Sequence, residues 1–122
     1  ALVDRLWHDW SPSLHPPAGE LAAVKASLRG REREALGYYR ALFSRAAPSA
    51  ARLLRRPTRV PSIYVHGRDD GCIGVALADG VERAYAGPIA VHRLPGGHFV
   101  HQEAIEQFNG ILVEFLRTPV SA

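Results

Sequence analysis

Two short apolar runs set the strongest limit on what this chain can fold into. Val60-Pro61-Ser62-Ile63-Tyr64-Val65 and Ile89-Ala90-Val91-His92-Arg93-Leu94 are rich in β-branched residues, and each is closed by a glycine turn, His66-Gly67 and Pro95-Gly96-Gly97. Runs of this length and near-continuous apolar character suit buried parallel strands. Pro61 has no N–H to give to a sheet, so it is tolerable only near a strand's beginning. Between the runs, Gly67, Gly71 and Gly74 punctuate a turn that leads into a short helix expected over 75–85. After the second run, Ile105, Phe108, Ile111, Leu112, Phe115 and Leu116 recur at helical spacing and predict an amphipathic helix over 104–116. Strand, helix, strand, helix implies an α/β architecture with right-handed parallel crossovers.

The first half has a different character. Leu2, Leu6, Trp7 and Trp10 share one side of a helix that ends at Ser11-Pro12, and Ser13 to Gly19 with Pro16-Pro17 is a loop. Leu21, Val24 and Leu28 mark a second helix over 20–28. Gly30 interrupts it, and Leu36, Tyr39, Leu42 and Phe43 form the expected inner face of a third over 31–46. A basic connector, Arg52 to Arg59 with Pro57, precedes the first strand. The chain thus divides into a helical segment, 1–50, and an α/β segment, 51–122. Two parallel strands do not make a stable sheet unaided, so further core strands are expected N-terminal to these, and an uncovered edge would invite self-association.

Composition excludes several classes. The 122 residues carry 15 Lys+Arg against 12 Asp+Glu, a net charge of +3 that is too small to argue for nucleic acid. Arg52, Arg55, Arg56 and Arg59 could line up for phosphate, but no aromatic residues interleave with them, and a solvated connector fits better. One cysteine, Cys72, excludes an internal disulfide and does not support a zinc framework. No apolar run approaches the roughly 20 residues that span a membrane. No signal peptide opens the chain, but Ala1 is an unusual natural start, so export stays open with the cytoplasm favoured.

The chemistry-bearing residues sit at the ends of the two strands. His66-Gly67-Arg68-Asp69-Asp70 follows the first and Gly96-Gly97-His98 the second. An acid from one strand end and a histidine from the next are the two supporting members of a nucleophile–His–acid triad. No Gly-x-Ser-x-Gly elbow, nor its Asp or Cys equivalent, occurs between Ala1 and Ala122. Taken singly, Asp70 could be ordinary turn chemistry and His98 an ordinary loop residue. Asp69 is the competing acid. His98 and His101, with His66 and Asp69, have spacing that could suit a metal, although His101 could equally line a pocket or cap the next helix.

The segments Val60–Asp70, Gly97-His98-Phe99-Val100-His101-Gln102-Glu103 and Phe108–Leu116 together resemble the C-terminal portion of the α/β-hydrolase superfamily. The likeness is to its branch of epoxide hydrolases and haloalkane or haloacetate dehalogenases. The resemblance implies that the Gly-x-x-Asp turn makes Asp70 the triad acid and that Gly-His makes His98 the base. It implies that the first half is the helical cap, with Gly37-Tyr38-Tyr39-Arg40 resembling the cap's Tyr-Arg element. Tyr39 would then donate a proton to an epoxide oxygen, with Tyr38 as its neighbour about 100° away on the helix. Trp7, Trp10, Tyr38, Cys72 and Ile73 would border a small apolar substrate, although the two tryptophans could equally be cap packing. Glu103-Ala104-Ile105 departs from the family, in which a proline is common at the third position. The activity implied is hydrolysis of a small epoxide, halide or ester, with no metal or organic cofactor. The 122 residues alone would be inactive, since they hold a base and an acid with no nucleophile to activate. A ligand-binding or regulatory protein on the same scaffold is the alternative, and a free-standing interaction module a third.

Overall fold

The computed structural model describes residues 2–42 and 56–118. The expectations for the Leu42 side chain, Phe43, the helix beyond 42, Arg52 and Arg55 fall outside the described residues. The chain separates into two compact units, one formed by 1–15 with 58–122 and the other by 16–57.

The first unit is mixed helix and strand. Helix α1 (Leu2–Trp10) precedes strand β1 (Ser62–Gly67), and two single 3₁₀ turns (Val75–Ala78 and Val81–Ala84) lead to strand β2 (Ile89–Leu94). Two helices in the second unit, α2 (Glu20–Leu28) and α3 (Glu32–Leu42), intervene in sequence between α1 and β1. A short helix α4 (Val100–Glu103) and the longer α5 (Ile105–Arg117) follow β2.

The two strands pair in parallel, from Ser62 opposite Ile89 to Gly67 opposite Leu94. The first strand therefore starts and stops two residues later than its apolar run suggests. Pro61 has no ladder donor, so pairing begins with the Ser62 N–H donating to the Pro88 carbonyl at 2.9 Å. At the other end the ladder continues past the apolar run through His66 and Gly67 and into the turn, where Arg68 N–H donates to Leu94 O at 2.9 Å.

The expected helix over 75–85 is not one helix. Gly80 adopts a left-handed φ of 75° between the two 3₁₀ turns, a conformation that ends any α-helix passing through it. Asp79, extended just before it, accepts an ion-paired hydrogen bond from Arg93 of β2 at 2.6 Å. The last helix, expected over 104–116, is observed as Ile105–Arg117, and Ala104, with φ and ψ of −120° and 50°, separates it from α4.

Burial is concentrated at one end of the sheet. His66, Gly67, Leu94, Gly96, Gly97 and Val100 are buried, together with Ser11 and Ala78. The strand bodies from Ser62 to Val65 are only half-buried, against the expectation of strands covered on both faces. Two strands present too little surface to be enclosed. The same shortage narrows the helix faces. In α5, Phe108, Ile111, Leu112 and Phe115 are half-buried while Ile105 and Leu116 at the ends are exposed. In α1 the half-buried stripe is Val3, Leu6, Trp7 and Trp10. Leu2, expected on that face, lies one helical step outside it and is exposed.

In the second unit, Leu21, Val24 and Leu28 line one half-buried side of α2, as their spacing predicts. Of the expected inner face of α3, Leu36 is 49% and Tyr39 56% exposed. Two short helices bury little surface between them, and amphipathic spacing alone does not supply a partner.

Candidate functional site

The site is built where the buried end of the sheet turns over. After β1 the chain passes Gly67 and makes a tight turn that Asp70 closes with its own carboxylate. Oδ1 accepts the backbone N–H groups of Cys72 and Ile73, both at 2.8 Å. This is the local chemistry that makes Asp a turn residue. The turn leaves the second oxygen free, and Oδ2 accepts from Nδ1 of His98 at 3.0 Å. One carboxylate therefore performs both roles, closing its turn with one oxygen and orienting an imidazole with the other.

His98 is held by its backbone. After β2, Gly96 takes a φ of 120°, and Gly97 lies so close to the end of α1 that an added Cβ would sit 2.6 Å from both Ser11 Cα and Trp10 O. Glu103 reaches back from the end of α4 to accept the Gly97 N–H at 2.7 Å, and its other oxygen accepts from the Ser13 hydroxyl at 2.9 Å. The Trp10 carbonyl accepts from both His98 N–H, at 2.9 Å, and Gly71 N–H, at 3.2 Å. A single carbonyl at the end of α1 thus ties the Asp70 turn to the His98 loop. Buried Ser11 adds a bond to the next residue, its hydroxyl accepting the Phe99 N–H at 2.9 Å. The seat of the histidine is aromatic. Trp10 meets the His98 ring edge-on with centroids 5.1 Å apart, and Trp7 stacks on Phe99 at 4.4 Å.

The electrostatics suit this arrangement. Burial pushes the Asp70 carboxyl up, but hydrogen bonds from Ile73 N–H, His98 and Cys72 N–H, with the charge of His98, outweigh it and hold it below its ordinary value. Asp70 is thus an anion at neutral pH and can only accept, so Nδ1 of His98 carries the proton. Nε2 is then the ring's basic nitrogen, and it has no hydrogen-bond partner among the described residues. The Cys72 thiol is pushed up by burial and by the Asp70 charge, which opposes a thiolate.

The structure brings Asp70, His98, Trp10, Cys72 and Ile73 into one neighbourhood, with Trp7 behind it on Phe99. Cys72 and Ile73 contribute their backbone to Asp70, and both side chains are exposed. Asp69 is exposed and joins the sheet through its backbone, donating to Gly96 O at 2.9 Å, so Asp70 is the acid that meets the histidine. Tyr38 and Tyr39 belong to the second unit, where they are exposed and touch each other edge-on at 5.6 Å. His101 lies against Phe99 and Phe108 at 6.5 and 6.1 Å, and no group of three His, Cys, Asp or Glu among the described residues could hold a metal ion. Arg56 and Arg59 are exposed. No helix among the described residues is long and apolar enough to cross a membrane.

The sequence reading missed the roles of three contributors. Ser11 and Glu103 act through hydrogen bonds to backbone, which leave no motif. His66 is buried on β1, its Nδ1 2.7 Å from the Tyr64 hydroxyl and its Nε2 2.9 Å from the Ile73 carbonyl. Its signal was available, since Tyr64 and His66 alternate onto one face of a strand that ends in the acid's turn. No protein-family model, curated protein or solved structure matches this chain.

Proposed function

We propose that Asp70 and His98 are the acid and base of a hydrolase of the α/β-hydrolase type, this chain supplying the C-terminal part of the core. The observation that carries the reading is the 3.0 Å bond between Asp70 Oδ2 and His98 Nδ1, made by residues from successive strand ends and leaving Nε2 free. In such a site Nε2 takes the proton from a nucleophile or from a hydrolytic water, and the Asp70 carboxylate stabilises the imidazolium that forms. Small epoxides, alkyl halides and esters are the substrate classes. An aspartate nucleophile would give an alkyl-ester intermediate on the first two, and a serine an acyl-enzyme on the third.

The nucleophile has to come from polypeptide that carries a strand-to-helix elbow, a motif these 122 residues lack. The long edges of β1 and β2 that no other strand among the described residues pairs are where the strands of such a segment would add, covering the half-buried strand bodies. Tyr39 as proton donor and Tyr38 as its neighbour belong to the same proposal and rest on the Tyr-Arg resemblance alone.

The test is turnover of epoxide, alkyl halide and ester substrates by a polypeptide that joins this chain to its elbow segment. Asp70→Ala and His98→Ala are expected to lower kcat by roughly 10²- to 10⁴-fold. Unchanged turnover in either variant overturns the assignment. Substrate binding without turnover by the unaltered polypeptide would favour the ligand-binding alternative.

A further inference from the structure

His66 is 5% exposed, and the proton transfers above do not use it. Its surroundings define its state. The Ile73 carbonyl, 2.9 Å from Nε2, can only accept, so Nε2 carries a proton. In the neutral ring Nδ1 is then an acceptor, and the Tyr64 hydroxyl at 2.7 Å is placed to donate to it. That same Nε2 lies 3.7 Å from Oδ2 of Asp70, the oxygen that receives the His98 Nδ1–H.

Ile73 links the two systems. Its N–H donates to Asp70 Oδ1 while its carbonyl receives His66. The turn from Asp70 to Ile73 is therefore closed internally at one end and moored to β1 at the other. Other moorings of the loop are the Asp69 N–H on Gly96 O at 2.9 Å, the Gly71 N–H on Trp10 O at 3.2 Å and a 3.4 Å bond from Asp70 N–H to Gly67 O. None of these holds the far end of the turn. Resting on the reading of Asp70 and His98 as a dyad, we propose that His66, held in its Nε2–H form by the Ile73 carbonyl, is a positioning residue that fixes the Asp70 turn and so the Asp70–His98 hydrogen bond.

The experiment is ¹H–¹⁵N NMR of the imidazoles in the 122-residue chain. The unaltered protein is expected to show His66 protonated at Nε2 and a hydrogen-bonded Nδ1–H on His98. In His66→Leu the exchange of the His98 Nδ1–H with water is expected to rise about tenfold, as for the loss of one net hydrogen bond. His66→Gln, which keeps an N–H donor within reach of Ile73 O, is expected to restore slow exchange. Tyr64→Phe is expected to leave His66 in its Nε2–H form, since the Ile73 carbonyl still requires that proton. Backbone exchange at Arg68 in the sheet ladder is the control, and a merely structural defect would accelerate it equally. Unchanged His98 exchange in His66→Leu, or equal acceleration at Arg68, overturns the role of His66 while leaving the dyad intact. If His66→Leu does not fold, a His66 Nε2–H that exchanges freely with water in the unaltered protein overturns it instead. Absence of any hydrogen-bonded Nδ1–H on His98 in the unaltered protein defeats the dyad itself.

Discussion

The carboxyl ends of β1 and β2 and the outer surface of α3 both carry residues with chemical potential, but only the first region holds them in place. At the strand ends, Asp70 accepts three hydrogen bonds, and the loop of His98 is tied by Trp10, Ser11 and Glu103. On α3, Tyr38 and Tyr39 are 72% and 56% exposed and meet each other edge-on. The difference lies in what the backbone offers. Tight turns leave N–H groups and carbonyls free to bind side chains, whereas a helix uses its own and can position a side chain only by packing. A side chain with catalytic potential is thus set by its turn at the strand ends and by whatever covers it on α3.

The sharpest way to break the comparison is steric. Gly97→Ala places a methyl group against Ser11 Cα and Trp10 O, which are backbone atoms that cannot swing aside. It is expected to cost about 3 kcal/mol or more, at the upper end of overpacking effects. Urea unfolding of the chain measures it. A cost near zero would mean that α1 does not close over the His98 loop.

Next in size is the carboxylate. Asp70→Ala leaves the Cys72 and Ile73 N–H groups and the His98 Nδ1–H without their acceptor. A loss of about 2 kcal/mol is expected in the same measurement, since the bonds are charge-assisted but the turn is open enough for water to replace part of them. A matched loss from Asp69→Ala would erase the distinction between the two acids.

The third effect is a fraction of the second and depends on pH. Asp70 has a folded pKa held below its ordinary value of 3.8, so the unfolded chain binds a proton more readily than the folded one. The stability it contributes is fully present above 3.8 and drains away as pH falls through the lower folded value. The stability difference between the unaltered chain and Asp70→Asn should therefore narrow as pH falls below 3.8. A difference that instead grew below that value would mean that burial, not hydrogen bonding, dominates at this carboxyl.

Much of the strand-end region is legible in the sequence because its key signals are side chains in short motifs. Gly67 to Asp70 and Gly97-His98 mark the carboxylate and the imidazole that meet, without any structure. The supports are hidden because they run through the main chain. Nothing in Trp10's identity announces that its carbonyl receives both Gly71 and His98. For the same reason α1, which reads as part of a helical first half, packs within the unit that contains the sheet. The helix expected over 75–85 fails at Gly80, a residue free to turn left-handed. The face of α3 fails differently. Leu36 and Tyr39 have helical periodicity, but periodicity names a side of a helix and not what lies against it.

The smallest effect tests α3 itself. A Cβ added at Gly37 meets nothing within 4 Å, in contrast to Gly97. Its backbone is ordinary helix, so Gly37→Ala removes only the entropic cost of glycine in a helix interior. The substitution is expected to stabilise α3 by about 0.5–1 kcal/mol, read as slower backbone amide exchange between Glu34 and Arg40 with the strand-end amides unchanged. Opposite signs for the same Gly→Ala change would show that the two regions differ in packing rather than in composition. If Gly37→Ala destabilised α3 instead, a neighbour would have to lie against that face, and the exposed tyrosines beside Gly37 would belong to a covered surface after all.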